Sequence, residues 1–184
     1  MEYIERAVST LRTGGIVAHA TEGVWGLSCD PKSEKSIKRI LEIKERSKSK
    51  GLILIGGIIG FFGQELLNIK PDKRIEIEAS WPGHHTWILP NANHYSDWIT
   101  GGRETIACRV PDHEQARNLS LQFGGPIVST SANLSGSPEL KSEQAVRNDF
   151  EMLVDFILPG VVGGAKGPSN IHTLDGSMLR SSLG

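Results

Sequence analysis

The chain has 184 residues, 38% of them hydrophobic, with 20 Lys and Arg against 21 Asp and Glu and a formal net charge of −1. This length is expected to form one domain, residues 1–184, with a real core, and the charge balance gives no global field for nucleic acid. The longest apolar stretch, Gly51 to Gly63, is too short and glycine-rich to span a bilayer; no cationic apolar leader opens the sequence, and Cys29 and Cys108 lack metal-ligand spacing, so a cytoplasmic protein with reduced thiols and no membrane partner is expected.

In chain order, Ile4, Ala7, Val8 and Leu11 have helical spacing, and Gly14-Gly15 stops that helix. A strand is predicted over Gly15 to Ala20. Ser33 caps a second helix that buries Ile37, Ile40 and Leu41 and runs out near Lys44 to Ser47. Leu52 to Ile55 reads as a buried strand, and Phe61 to Ile69 and Asp72 to Ala79 as helices. Strands follow over Thr86 to Leu89 and Thr105 to Val110. Asp112 is the expected cap of a helix carrying Ala116, Leu119 and Phe123. Ile127 to Ser129 is a strand, Ser142 to Phe150 a helix, and Leu153 to Leu158 a strand. Asn170 to Leu174 and Met178 to Ser181 close the chain around a turn at Asp175-Gly176. Strands and helices alternate through much of the chain, yet Thr86–Val110 and the C-terminus read as adjacent strands. The expected class is α/β (mixed α+β): a three-layer, twisted, open mixed sheet with helices on both faces. Ligands of such sheets gather at strand ends.

The run Val128-Ser129-Thr130-Ser131-Ala132-Asn133-Leu134-Ser135-Gly136 follows an apolar approach and carries five hydroxyl or amide residues and no charge. Such a run buries poorly, because each polar group needs a partner; it reads either as an ordinary turn or as a strand-end loop presenting donors to a polar ligand. Between Glu34 and Lys50 seven basic residues face three acidic ones. Within that stretch Lys44 and Arg46 either complement a helix end or, in a turn, converge on one ligand, a point charge beside a bidentate fork that suits a polyphosphate. Arg109 projects from an otherwise apolar or small-residue strand and needs a partner, either a structural one such as Glu22 or a substrate carboxylate. His19 reads as a satisfied strand-end histidine. Gly56-Gly57-Ile58-Ile59-Gly60 lacks the lysine of a phosphate-binding loop, and no dinucleotide fingerprint is present.

These features lie in five ordered blocks: Thr21-Glu22-Gly23-Val24-Trp25-Gly26-Leu27, Lys44-Glu45-Arg46, Trp81-Pro82-Gly83, Ala107-Cys108-Arg109-Val110-Pro111 and the Ser-Thr-Ser-Ala-Asn run. Together they resemble the YrdC-like family, the threonylcarbamoyl-adenylate synthases, over nearly the whole chain, and they imply the YrdC-like fold with a concave ligand groove. The resemblance implies a catalytic tetrad of Lys44, Arg46, Ser131 and Asn133. It implies an ATP site of Lys44, Arg46, Lys50, Thr105, Asn133 and Arg180, and an L-threonine site of Thr21, Arg109, Ser131 and Ser169, with Arg109 on the carboxylate. Ser131 has no acid-base partner in sequence, so oxygen positioning is expected of it rather than nucleophilic attack. Two departures are visible. The family's Tyr-Pro-Thr-Glu reads His19-Ala20-Thr21-Glu22, and the proline that often follows the arginine is Ser47.

The implied reaction joins L-threonine, bicarbonate and ATP into threonylcarbamoyl-AMP with release of pyrophosphate. Mg²⁺ is expected with the ATP, without an identified protein ligand. Other proteins would transfer the product to tRNA, with at most a weak tRNA or RNA contact by this chain. Two alternatives stand beside it: a non-enzymatic RNA-binding protein of the same fold, and a sugar-phosphate enzyme, which would want clustered acidic metal ligands.

Overall fold

The computed structural model describes residues 2–181. The first helix, α1 (Glu2–Arg12), leads into an antiparallel pair, β1 (Val17–Ala20) and β2 (Trp25–Cys29). Next come α2 (Glu34–Ile43) and β3 (Ile53–Ile55), joined through a 3₁₀ turn at Lys48–Lys50. The chain continues through α3 (Gly63–Leu66), α4 (Pro71–Ala79), β4 (His85–Pro90), α5 (Asp97–Thr100) and β5 (Thr105–Arg109). It ends with α6 (Glu114–Phe123), β6 (Ile127–Ser131), α7 (Glu143–Phe150), β7 (Phe156–Ile157), β8 (Asn170–His172) and β9 (Met178–Arg180).

The strands form one mixed sheet in the order β7-β1-β2-β6-β3-β5-β4-β8-β9. β1–β7, β3–β5 and β4–β8 are parallel pairs and the other neighbours are antiparallel. The expected mixed sheet with helices on both faces is therefore what the chain builds. One face is closed by apolar residues of α2, α3, α4, α5 and α7, including Ile37, Ile40, Leu66, Ile77, Ile99, Val146 and Phe150, packed on Leu27, Leu54, Cys108 and Val128. Each such side chain, fully buried, contributes roughly 1.5–3 kcal/mol. On the other face α1 and α6 pack together over β1, β7 and β3 through Val8, Leu11, Ala116, Leu119, Val17 and Ile127.

That second cover stops short. Along β5, Ile106 and Cys108 are buried while Thr105 and Ala107 stay half-buried; Ile53 on β3 and Ile88 on β4 are half-buried too. Alternation along a strand sends successive side chains to opposite faces, so these half-buried positions mark the uncovered part of the α1/α6 face. Among the described residues, no helix is long and apolar enough to cross a membrane.

Several local expectations change. Trp25–Cys29 is a strand that the sequence reading passes over: it has no polar/apolar alternation because it is buried throughout, between β1 and β6. The helix expected over Phe61 to Ile69 is a 3₁₀ turn, Ile59–Phe62, followed by the short α3. The cap of α6 is His113, whose side chain accepts from the Ala116 N–H at 3.4 Å; Asp112 instead pairs with Arg117 at 2.9 Å. The strand expected over Leu153 to Leu158 shortens to Phe156–Ile157, because the Leu153 and Val154 N–H groups both bond back to Phe150 O in a turn. Ser129, Thr130 and Ser131 belong to β6 itself, so the strand-end loop begins only at Ala132.

Candidate functional site

The uncovered strip is the floor of a cleft of about 310 Å³. Register places Ser129, Ile53, Ala107 and Ile88 side by side across β6, β3, β5 and β4, and all four line the cleft. Five cations reach it: Arg46, Lys50, Arg103, Arg109 and Arg180. Among the described residues no Asp or Glu lines it. In a chain of net charge −1, this separation makes a local positive field over an apolar floor.

Of the ten residues that the family resemblance implies, eight line the cleft: Thr21, Arg46, Lys50, Thr105, Arg109, Ser131, Ser169 and Arg180. Lys44 and Asn133 lie behind Ser131. Arg46 lines the cleft and Lys44 does not. α2 ends with the Arg46 N–H on Leu41 O at 2.9 Å, and the intervening Glu45 takes a left-handed φ of 49°. The two side chains then part. Lys44 is only 2% exposed, and its Nζ donates to Ser131 O, to Asn133 O at 2.7 Å and to Asn133 Oδ1 at 3.0 Å. Arg46 enters the cleft, held by Gly51 O through Nε at 3.3 Å and Nη2 at 3.0 Å. Burial first, and the Arg46 charge second, pull the Lys44 pKa down to about 8.

The Asn133 amide joins a local network through its oxygen and one of its two Nδ2 hydrogens. Nδ2 donates to Ser137 O at 2.6 Å, and Oδ1 accepts from Lys44 and from Ser131 Oγ at 2.7 Å. Among the described residues the Ser131 hydroxyl contacts no base; it donates to Asn133 Oδ1. Ser47, where the family often has proline, accepts from the Ser49 N–H at 3.3 Å and so caps the 3₁₀ turn that presents Lys50.

At the other end, Thr21 Oγ1 donates to Val24 O at 2.7 Å. Ser169, 2% exposed, shares a hydrogen bond with Thr86 Oγ1 at 2.7 Å, and Arg180 Nε donates to Ser169 O at 2.9 Å. Arg109, 6% exposed, forms a buried ion pair with Glu22 through Nη2. Its Nε donates to Gly83 O at 3.2 Å, and Nη2 also donates to His84 Nδ1 at 3.1 Å. Nη1 is the nitrogen that none of these contacts uses. Glu22 Oε1 further accepts from the Asp112 N–H at 2.7 Å, while Oε2 has no partner among the described residues. His19 is fully buried, with Nε2 2.8 Å from Ser28 Oγ and Nδ1 3.0 Å from Ala20 O, the satisfied histidine expected.

Two cleft residues escape the sequence reading. Arg103 is fixed by Ser49 O at 2.6 Å and Thr100 O at 3.1 Å, after Gly101 and Gly102 at φ of 70° and 79°. That glycine pair just before a strand is the signal, since it marks a tight turn aiming the next side chain. Trp25 is among the lining residues, and its buried Nε1 is unpartnered among the described residues. Nothing in the sequence distinguishes that tryptophan from a core one. Among the described residues, no three or more of His, Cys, Asp and Glu gather where they could hold a metal ion.

The family model for Sua5, YciO and YrdC, described as telomere recombination, matches residues 9–182. A Pseudomonas fluorescens (strain Pf0-1) protein named threonylcarbamoyl-AMP synthase is 40% identical over 178 residues, 96% of each chain. A Hahella chejuensis protein of the same name is 41% identical over 179 residues, 97% of each. Among solved structures, P. abyssi Sua5 complexed with L-threonine superposes with a TM-score of 0.89 at 32% identity over 96% of this chain; the match covers 53% of that protein, so this chain spans about half its length.

Proposed function

The chain belongs to the Sua5/YciO/YrdC family, and from that membership we propose that it is an L-threonylcarbamoyladenylate synthase, making threonylcarbamoyl-AMP from L-threonine, bicarbonate and ATP for threonylcarbamoyl-adenosine modification of tRNA. Relatives of nearly full coverage carry the name threonylcarbamoyl-AMP synthase. The observation that carries the reading here is the cleft itself: among the described residues, five cations and no lining carboxylate around an apolar strip. The cations suit a triphosphate and the strip of Ile53, Ala107 and Ile88 suits a base.

In this reading Arg46, Lys50, Arg103, Thr105 and Arg180 surround the nucleotide. Thr21, Arg109 and Ser169 receive the amino acid, whose carboxylate meets Arg109 Nη1. Lys44 and Asn133 hold the Ser131 turn from behind, and the Lys44 charge adds to the field over the phosphates. Bicarbonate dehydrates to carbon dioxide, which the unprotonated threonine amine takes up as a carbamate. The amine proton released balances the one consumed in the dehydration, so water is the net by-product. A carbamate oxygen attacks the α-phosphorus, and the bond to pyrophosphate breaks. Positioning and charge stabilisation are the chain's contributions, as suits a site of Arg, Lys, Ser and Thr whose Ser131 proton is committed to Asn133. The described residues do not fit a resident metal site, so Mg²⁺ enters this reading only as part of the nucleotide substrate. The product passes to cytoplasmic proteins that transfer the threonylcarbamoyl group to tRNA.

The test is incubation of the purified chain with ATP, bicarbonate and labelled threonine. Pyrophosphate release that requires both threonine and bicarbonate, with a labelled adenylate, is expected. Pyrophosphate release indifferent to threonine would sink the reading.

A further inference from the structure

Three consecutive residues, the last of the turn ahead of β4 and the first two of β4, stitch the segment that walls the amino-acid end. His84 Nε2 lies 3.0 Å from Gly167 O, His85 Nδ1 lies 2.9 Å from His172 Nε2, and Thr86 Oγ1 lies 2.7 Å from Ser169 Oγ. Thr86 and Ser169 belong to the site already described, and the His85–His172 pair joins β4 to β8. His84 differs, because it also touches Arg109.

Its protonation state follows from its neighbours. A guanidinium only donates, so His84 Nδ1, 3.1 Å from Arg109 Nη2, must be the unprotonated acceptor. Nε2 then carries the proton and donates to Gly167 O. Burial, and after it the Arg109 charge, hold His84 below its ordinary pKa, in agreement with that neutral form. The imidazole therefore links two groups that the cleft uses. On one side is the cation of the amino-acid end; on the other is Gly167, the residue before Pro168 and Ser169, both of which line the cleft. The turn ahead of β4 grips Arg109 twice, since Gly83 O accepts its Nε while His84 accepts one Nη2 hydrogen. With Glu22 taking the other, Nη2 is saturated, and Nη1 is the nitrogen these contacts leave unused on a residue that lines the cleft.

We propose that His84, as its neutral Nε2–H tautomer, is a positioning residue for the amino-acid substrate: it orients Arg109 and ties it to the Gly167–Ser169 wall without itself touching ligand. This rests on the reading that the Arg109 end takes the amino acid. Losing a buried acceptor to a charged donor is worth roughly tenfold or more in a ligand that depends on that donor.

The experiment compares wild type, His84→Ala and His84→Asn in the full chain, by steady-state kinetics of threonine-dependent pyrophosphate release and by calorimetric binding of threonine and of a non-hydrolysable ATP analogue. Asparagine keeps an acceptor near the Nδ1 position but does not reach Gly167. His84→Ala is expected to raise the threonine KM about tenfold, with kcat and the affinity for the ATP analogue within about twofold of wild type. His84→Asn is expected to recover most of the threonine KM. A His84→Ala threonine KM within about twofold of wild type, equal losses for threonine and the ATP analogue, or no recovery in His84→Asn would each overturn the proposal while leaving the synthase reading standing. Wild type that neither binds threonine nor releases pyrophosphate in its presence would overturn both.

Discussion

The two ends of the cleft bury a cation in opposite ways. Lys44 has three ammonium hydrogens and three oxygen partners, Ser131 O, Asn133 O and Asn133 Oδ1, all of them neutral dipoles. Arg109 sits against the carboxylate of Glu22 and spreads its other bonds to Gly83 O and His84 Nδ1. Dipoles satisfy hydrogen bonds without cancelling charge, so the Lys44 field survives and adds to that of Arg46; a carboxylate cancels most of the charge it meets. A polyanion is drawn to the first kind of site. A small zwitterion, which carries both signs, suits the second, where Arg109 offers direction without a large net field.

The contrast is broken most severely by removing the Arg109 counter-charge. Glu22→Ala strands a buried guanidinium and is expected to cost about 3–5 kcal/mol, roughly 6–20 °C in melting temperature for a chain of this size. Lys44→Met strands only carbonyl dipoles, and about 1–3 kcal/mol is expected. Thermal melts of both variants check the ranking, and a larger loss in Lys44→Met would reverse the comparison.

Next in size, Arg46→Ala should lower kcat/KM by about 10²-fold, the scale of one charged transition-state contact, with an unchanged melting temperature. Wild-type turnover in that variant would remove the nucleotide assignment from the Lys44 end. Arg109→Met should raise the threonine KM about tenfold while the affinity for an ATP analogue stays within a few-fold. Equal losses for both ligands would make Arg109 a strut of the Glu22 network alone. The smallest effect is in pH. Lys44 sits at about 8, so it sheds its proton as pH rises from 7 to 9, and affinity for an ATP analogue should fall about fivefold or less over that range. Lys44→Met should lack that fall, as measured by titrations at several pH values.

Legibility in the sequence tracked how local each cause is. Ser33 caps α2 because its side chain accepts from Ser36 N, three residues away, and the Gly124 stop after α6 takes a left-handed φ of 94°; both are readable from adjacent residues. Trp25–Cys29 became a strand only because β1 and β6 flank it, a cause more than a hundred residues away on one side. The site divides in the same manner. The residues themselves marked Lys44, Arg46, Arg109 and the Ser131–Asn133 run as polar groups in need of partners, while Thr21 and the choice of ligand for all of them came only from the family resemblance. Which partner each one takes is a matter of distance across the fold.

Composition and spacing by themselves thus determined the mixed α/β class and most elements, since helical periodicity and glycine stops act over a few residues; the chemical kind of the site came from the resemblance carried by the five ordered blocks. Only the tertiary structure decided that α1 and α6 stop short of β5, β4 and β8, opening the floor of the cleft. It alone turned Lys44 away from Arg46, through the left-handed Glu45, and set His84 of β4's leading turn between Arg109 and Gly167. These outcomes depend on strand order and on contacts between residues far apart in the chain, which no local pattern encodes.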